Sequence, residues 1–231
     1  MGFRINTNVS SIAAQRSLNA TNRQTQSTLS KMSSGTRITK AADDAAGLAI
    51  SEKLKAQIKS NSQANRNAND GISMVQTAEG GLDEISNMLT RLRELSVQSA
   101  SDTVGDSERS FTDMEYQNLK QEIERISQVT EFNGTKLLAG QGDKLDFQIG
   151  TNNDEFQDRI SYDVQMTNAS LGSLGIDSIS VNSKEGAQNA LETIDNAIEK
   201  VSGQRAGLGA IQNRLISTSN NLQTTSENLS A

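Results

Sequence analysis

Apolar residues recur at every seventh position along the final part of the chain, against a background of polar side chains. The repeating positions are Ala187, Ile194, Val201, Leu208, Leu215, Leu222 and Leu229. Successive heptads place these side chains along one face, so the pattern predicts a coiled-coil-like helix over 184–231. Its seam is predicted to consist of Ile194, Val201, Leu208, Leu215 and Leu222. The pattern carries no capping signal at Ala231, and we expect further sequence to follow in the natural protein.

Two more amphipathic stripes predict helices in the first half of the chain. One stripe runs from Ile50 to Leu92 and predicts a long helix over 45–99. Asp43 and Asp44 lie just before it, where a carboxylate accepts free backbone N–H groups and favours the positive end of the helix dipole. The other stripe predicts a helix over 108–128. Its apolar members are Phe111, Met114, Leu119, Ile123 and Ile126.

Three glycines lie inside the long predicted helix, at positions 71, 80 and 81. Each costs a helix up to about 1 kcal/mol relative to alanine. We interpret them as positions where another backbone approaches closely; local fraying or a break is the alternative. Their spacing matches neither the dinucleotide-binding fingerprint nor the P-loop, so they predict no phosphate site.

The first 42 residues differ from the rest in charge. They contain six Lys or Arg and no carboxylate. Residues 4–32 predict a weakly apolar amphipathic helix, and 36–42, which lack a helical stripe, predict a linker. The apolar members of the helix are Ile5, Val9, Ile12, Leu18, Leu29 and Met32. An acid-free start with Arg and Ser is also typical of an organelle transit peptide, which remains an alternative.

The hydrophobic period changes to two in the middle of the chain. Leu145, Phe147 and Ile149 alternate with polar residues, and the same spacing returns after a turn-rich stretch at 150–154. This pattern predicts a β-hairpin with a second strand through 160–164. Asn133-Gly134 predicts a turn that ends the second helix. The Gly- and Ser-rich stretch 169–183 predicts one more short strand.

Composition removes several classes of chemistry. The chain has no Cys and no His, which excludes disulfides, thiolate nucleophiles, imidazole bases and the commonest metal ligand. Its net charge of −6 argues against broad attraction to nucleic acid. Only 34% of the residues are hydrophobic and 3% aromatic, which favours long thin helices over a thick core. No run of 18 apolar residues is present, so membrane insertion is not expected.

Two carboxylate-containing segments are candidates for chemistry. Asp43-Asp44 could form half of an acid–base pair or a metal site, but without a second acidic cluster or a His, helix capping explains it better. Residues 152–155 resemble a fragment of a calcium loop but lack its spacing, which favours a turn. The sequence therefore predicts no catalytic residue, no cofactor and no metal site, and we expect a protein that is not an enzyme.

Six segments in order along the chain resemble the bacterial flagellins. They are INTN at 5–8, LSKMSSGTRITKAADDAAGLAISEKL at 29–54, ANRNANDGISMVQTAEGGLDEI at 64–85, RLRELSVQSA at 91–100, EFNGTKLL at 131–138 and GLGAIQNRLISTSNNL at 207–222. The ADDAAG sequence favours flagellin over the hook–filament junction proteins that share its ends. The resemblance covers nearly the whole chain.

The resemblance implies a mainly α fold, in which long antiparallel coiled-coil-like helices and a small β-hairpin form an elongated outer core. By the same resemblance, residues 1–33 are the inner-core helix and 34–45 the spoke linker. Residues 46–168 and 184–231 are the outer core, and 169–183 is a short remnant in place of the variable outer domains. Flagellins continue with a further C-terminal segment that pairs with the inner-core helix, so its absence here puts polymerisation of this chain in doubt.

The implied function is that of a structural subunit of the extracellular flagellar filament, which self-assembles and acts as the motility propeller. The implied partners are other flagellin subunits, hook-associated and cap proteins, and the export chaperone and type III export apparatus. Many flagellins are also ligands of Toll-like receptor 5. The residues implied for that contact are Arg91, Leu95 and Glu115.

Two other functions are alternatives. An intracellular coiled-coil scaffold would not need the β-hairpin or the acid-free start. A surface-active amphipathic helix would concentrate Lys and Arg on its polar face, whereas amides and hydroxyls dominate residues 4–32.

Overall fold

The computed structural model describes residues 8–231, which form a mainly α fold with two small β-hairpins, as predicted. The helices are α1 (Val9–Ser34), α2 (Ala45–Ser99), α3 (Asp106–Val129), α4 (Leu171–Leu174) and α5 (Lys184–Ser230). The strands are β1 (Glu131–Phe132), β2 (Thr135–Lys136), β3 (Leu145–Gln148) and β4 (Arg159–Tyr162), followed by a short 3-10 turn at Val164–Thr167. The chain divides into two compact units, 1–56 and 57–231.

In the first unit, α1 is a single helix with defined ends. The Ser11 N–H donates to Asn8 Oδ1 at 3.1 Å, which caps the N-terminus. Gly35 adopts a left-handed φ of 66° and its N–H donates to the Met32 carbonyl, which ends the helix. The predicted helix over 4–32 is thus confirmed from Val9 onward and extends to Ser34, whereas residues 4–7, with Ile5, lie outside the described residues.

The turn between α1 and α2 is organised by Asp43. Its Oδ2 accepts hydrogen bonds from the Thr39 N–H and the Lys40 N–H, both at 3.3 Å, and its Oδ1 lies 3.2 Å from Lys31 Nζ. The hydrogen bond from Lys31, then that from the Thr39 backbone, lowers the pKa of this carboxyl. Only Asp44 caps α2, by accepting from the Gly47 N–H at 2.8 Å. The capping prediction is therefore confirmed for Asp44 and corrected for Asp43, which stabilises the turn instead.

In the second unit, α5 runs antiparallel to the part of α2 that belongs to this unit. The Asn65 side-chain amide donates to the Ser219 carbonyl at 3.0 Å, and Arg93 Nε lies 2.6 Å from Asp195 Oδ1. Partner numbers along α5 therefore fall as numbers along α2 rise. The apolar sides of the two helices face each other and form most of the core.

The heptad seam of α5 lies in that core. Ile194, Val201, Leu208 and Leu215 are at most 1% exposed, as predicted. Leu222 is only half-buried. The seam therefore packs most tightly along the first two thirds of α5.

Helix α3 runs antiparallel to α2, and Arg109 fastens their connection. Its Nε donates to the Ser99 carbonyl and its Nη2 to the Ser101 carbonyl, each at 2.9 Å. A buried cation at this position satisfies carbonyls that have no partner within α2 and interacts favourably with the negative end of the helix dipole. The apolar pattern gives no signal for this contact.

The glycines of α2 only partly match their interpretation. A Cβ at position 71 would lie 3.1 Å from the Phe147 ring, and one at 81 would lie 2.7 Å from Leu138 Cδ1. Close approach is thus confirmed at Gly71 and Gly81, although side chains rather than a backbone make it. At Gly80 the interpretation is wrong, because no atom would lie within 4 Å of a Cβ.

The β-hairpin predicted from the period of two is confirmed. Strand β3 pairs antiparallel with β4, with Phe147 opposite Ile160. Asn133-Gly134 does more than end a helix, because it joins β1 to β2 with φ angles of 50° and 79°. Positive φ at both turn residues is the geometry of a tight hairpin, for which Asn-Gly is the favoured sequence.

The short strand predicted within 169–183 is wrong: these residues form α4 and a loop, with Ile176 and Val181 buried. The polar side of α3 holds the loop. Lys120 Nζ donates to the Asp177 and Ile179 carbonyls at 2.7 and 2.9 Å, and burial lowers the pKa of this amine. Asp113 Oδ1 accepts from the Val181 N–H at 2.8 Å. Side chains of α3 thus take backbone groups that a strand neighbour would otherwise bind.

Candidate functional site

The carboxylates considered for chemistry have structural partners. Asp154 Oδ1 accepts the N–H groups of Phe156 and Gln157, each at 2.9 Å, which is the predicted turn. Across residues 8–231, no group of three or more acidic side chains is arranged to hold a metal ion. No helix in the described part of the chain is long and apolar enough to cross a membrane. The features that remain as candidates are therefore surfaces for macromolecules.

The first candidate surface joins α2 to α3 through Arg91. Its Nε and Nη2 donate to Glu115 Oε1 at 3.0 and 2.8 Å, and its Nη1 donates to Glu94 Oε2 at 2.9 Å. The hydrogen bond to Glu115, followed by that to Glu94, raises the pKa of the guanidinium. Arg91 and Glu115 each keep 48% of their side-chain surface exposed. The structure thus brings these two candidate receptor contacts together on one open face.

Leu95, the third candidate receptor contact, lies elsewhere. It is 2% exposed and belongs to the core cluster. Four residues along a helix turn the side chain by about 40°, which is enough here to carry it from the surface at Arg91 into the core. Leu95 therefore supports this face from below rather than forming part of it.

Tyr116 packs beneath the same face and makes it rigid. Its ring is fully buried, and its hydroxyl makes no hydrogen bond within the described part of the chain. Burial raises the pKa of Tyr116 to about 12, and the nearby Ser96 hydroxyl offsets this only in part. The surface pair Arg91–Glu115 consequently rests on a packed interior.

A second candidate surface is a groove of about 270 Å³ along one side of α5. Gly203 and Gly207 form its floor, and apolar side chains form most of its walls. The principal walls are Tyr162, Met166, Leu208 and Ile211. The spacing of four between the glycines is visible in the sequence but becomes informative only once the 3-10 turn is placed beside it. We name this feature the α5 groove.

A third candidate surface is α1, which has no buried residue. Leu18, Leu29 and Met32 are 65%, 59% and 75% exposed and lie within about 60° of one another around the helix. Val9 and Ile12 lie on roughly the opposite side and are also exposed, at 73% and 40%. Exposed apolar side chains in this number are typical of a surface that binds another protein.

Comparisons with known proteins identify the class of assembly that uses such surfaces. A family model described as "Bacterial flagellin N-terminal helical region" matches residues 5–143, and one described as "Bacterial flagellin C-terminal helical region" matches residues 191–231. The flagellin of Halalkalibacterium halodurans is 43% identical over 227 residues, covering 98% of this chain and 82% of that protein. The flagellar filament 30.7 kDa core protein of Treponema maltophilum is 41% identical, covering 98% and 83%.

A solved structure agrees with the sequence comparisons. The crystal structure of Bacillus cereus flagellin matches with a TM-score of 0.60 and 30% identity, covering 68% of this chain and 88% of that one. These relatives are structural proteins, and this chain is accordingly a structural subunit of a flagellar filament that assembles with other flagellin subunits. The coiled-coil scaffold alternative has no support. The chain belongs to the bacterial flagellins.

Proposed function

We propose that this chain builds an extracellular filament without any catalytic role. In this proposal, residues 1–33 are the inner-core helix, 34–45 the spoke, and 46–168 with 184–231 the outer core, with 169–183 in place of the variable domains. Hook-associated and cap proteins, the export chaperone and the export apparatus are proposed partners by family resemblance. The family membership and the surfaces described above support this proposal.

The observation that carries the proposal is the apolar surface of α1. The helix exposes apolar side chains on two sides, while the rest of its sequence is rich in Asn, Gln, Ser and Thr. A helix of this composition is marginally stable alone in water, because little apolar area is buried to offset its ordering. Packing against neighbouring subunits would bury both sides at once.

A seeded assembly assay tests this role. Leu29→Asp should abolish filament growth, since it would place an unpaired charge in the contact between helices. Gln24→Asp is the matched control, because it adds the same charge in the same helix between the two apolar sides. Equal filament yields for both variants would contradict the assignment of α1 to the filament interior.

We propose receptor recognition as a second function, through Arg91 and Glu115. The guanidinium is half-exposed and held in place by two carboxylates, so little side-chain freedom would be lost on binding. Arg is a frequent hot spot at the centre of protein interfaces. Arg91→Ala should weaken binding to a Toll-like receptor 5 ectodomain at least about tenfold, equivalent to ~1.4 kcal/mol.

Arg93→Ala is the control for that measurement. Arg93 lies on the same helix and is 47% exposed, but it pairs with Asp195 of α5 instead of a residue of α3. It should leave the receptor affinity within about twofold of the unsubstituted chain, a change of ~0.4 kcal/mol. If the ectodomain does not bind the folded chain, or if both variants bind equally, the Arg91 pair has no receptor role.

A further inference from the structure

The α5 groove contains a hydrogen-bond acceptor without a partner. Gln204 is 9% exposed and lines the groove. Its Nε2 donates to the Asn168 carbonyl at 3.0 Å, whereas its Oε1 is buried and has no partner among residues 8–231. An unpaired buried acceptor is unfavourable, and a donor arriving with an apolar neighbour would satisfy the acceptor and fill the groove.

We propose that the α5 groove of one copy binds the outer face of α3 of a second copy. This inference rests on the proposed self-assembly and names the two surfaces that it would join. On that outer face, Phe111 is 67% and Met114 55% exposed, and Asn118 is exposed beside them. Their spacing of three and four residues places them in one row along the helix. The row therefore offers two apolar side chains followed by an amide donor.

The glycines make room for a helix to approach. A Cβ at position 203 or 207 would meet no atom within 4 Å, so the space above both residues is open. Small residues four apart allow two helix backbones to come close, because no side chain separates them. The apolar walls of the groove would then contact Phe111 and Met114.

Charge fixes the direction of the incoming helix. When α3 lies antiparallel to α5 with Phe111 over Ile211, Asn118 falls at the level of Gln204 and Glu108 at the level of Arg214. Arg214 lines a concavity together with Lys144 and Arg159. None of these three cations forms an ion pair with another described residue.

Acidic side chains flank the matching end of α3. Residues 94–115 contain six carboxylates and one cation. The antiparallel arrangement thus brings opposite charges together while the Asn118 amide meets the free Gln204 oxygen. The parallel arrangement would instead place Glu108 away from the cations, so charge complementarity selects the antiparallel one.

This contact joins two different surfaces, so each copy would still have one free groove and one free α3 face. Such a head-to-tail contact continues from copy to copy and generates an open helical assembly when its rotation does not close a ring. A filament subunit needs a contact of this kind.

Paired glycine variants test the groove. Gly207→Leu should fill it and reduce seeded filament growth at least tenfold. Gly209→Leu is the matched control, because position 209 also has no atom within 4 Å of a Cβ but does not line the groove. Both variants should keep or raise the thermal midpoint, since each removes a glycine from a helix interior. A midpoint that falls only for Gly207→Leu would shift the test to the cross-linking experiment below.

Cross-linking tests which surfaces meet. The chain has no cysteine, so each introduced thiol is unambiguous. A mixture of full chains carrying Met114→Cys and Gly207→Cys, assembled on seeds and mildly oxidised, should form the mixed disulfide as its main product. Met114→Cys mixed with Gly209→Cys should form at least tenfold less.

The outcomes separate this proposal from the proposed function. If the unsubstituted chain assembles but the Met114–Gly207 pair cross-links no better than the control pair, the interface is refuted while self-assembly stands. If the unsubstituted chain does not assemble on seeds at all, self-assembly is refuted and the interface with it. Enriched cross-linking within filaments supports both.

Discussion

Adjacent glycines in α2 should respond to the same substitution with opposite signs. Gly80→Ala adds a methyl group where no atom lies within 4 Å. Gly81→Ala adds one 2.7 Å from Leu138 Cδ1 and 2.8 Å from Thr130 Oγ1. Sequence-based helix propensity treats the two positions alike, so any difference between the variants measures tertiary packing.

The expected magnitudes follow from two opposing terms. Alanine in place of glycine stabilises a helix interior by up to about 1 kcal/mol, and this term is common to both variants. Overpacking at Gly81 should cost about 1–3 kcal/mol, because neither neighbour can easily move. Leu138 is fully buried, and the Thr130 hydroxyl donates to the Ile126 carbonyl at 2.7 Å. Gly80→Ala should therefore stabilise by ~1 kcal/mol, while Gly81→Ala should be neutral or destabilise by up to ~2 kcal/mol.

Urea denaturation followed by far-ultraviolet circular dichroism measures both variants. The common propensity term cancels in their difference, which should be ~1–3 kcal/mol, or roughly 2–12 °C between thermal midpoints for a unit of this size. In a Leu138→Ala background, the difference should shrink because the nearest obstructing atom is gone. Equal stabilisation by both substitutions in the unsubstituted background would refute the packing argument.

Further expectations concern the seam and two titrating groups. Leu208→Asp should lower the free energy of unfolding by at least ~4 kcal/mol in urea denaturation, because it removes a core side chain and buries a charge, whereas Leu222→Asp, at a half-buried position, should cost about 1–2 kcal/mol; equal costs would refute the gradient along the seam. Because burial raises the pKa of Tyr116 to about 12, its phenol stays protonated in the fold, and its contribution to stability is complete below its ordinary value of 10.0 and declines as pH rises toward 12; phenolate absorbance that develops at pH 10 while the chain is folded would contradict this. Lys31 and the Thr39 backbone lower the pKa of Asp43, so its contribution to the turn is present above its ordinary value of 3.8 and is lost as pH falls through the lower folded value; an NMR titration of the Thr39 amide with a midpoint at or above 3.8 would contradict it.

Local patterns predicted the elements well where side-chain periodicity and turn chemistry agreed. The heptads of α5 predicted a helix that begins at Lys184 and a seam that is buried through Leu215. The alternation around Phe147 predicted the β3–β4 pair. Both patterns depend only on which side of an element faces the core, and the sequence records this directly.

Errors arose where a local pattern competed with distant side chains. Ile176 and Val181 have the composition of a strand, but Lys120 and Asp113 bind the nearby backbone, and no strand forms there. Likewise, Leu95 shares the exposed helix of Arg91 but turns into the core. In each case the outcome depends on a residue that is remote in sequence or on a small rotation about the helix axis.

The sequence by itself determined the family, the helical class, the absence of Cys and His chemistry, and the approximate extent of α2, α3 and α5. It did so because repeated apolar spacing and composition are properties of neighbouring residues. The tertiary structure alone decided that Glu115 pairs with Arg91, that Gly81 is packed while Gly80 is open, and that Gly203 and Gly207 form the floor of a groove with a free acceptor beside them. These features depend on how antiparallel helices are aligned and rotated against one another, which is fixed only when side chains distant in sequence pack together.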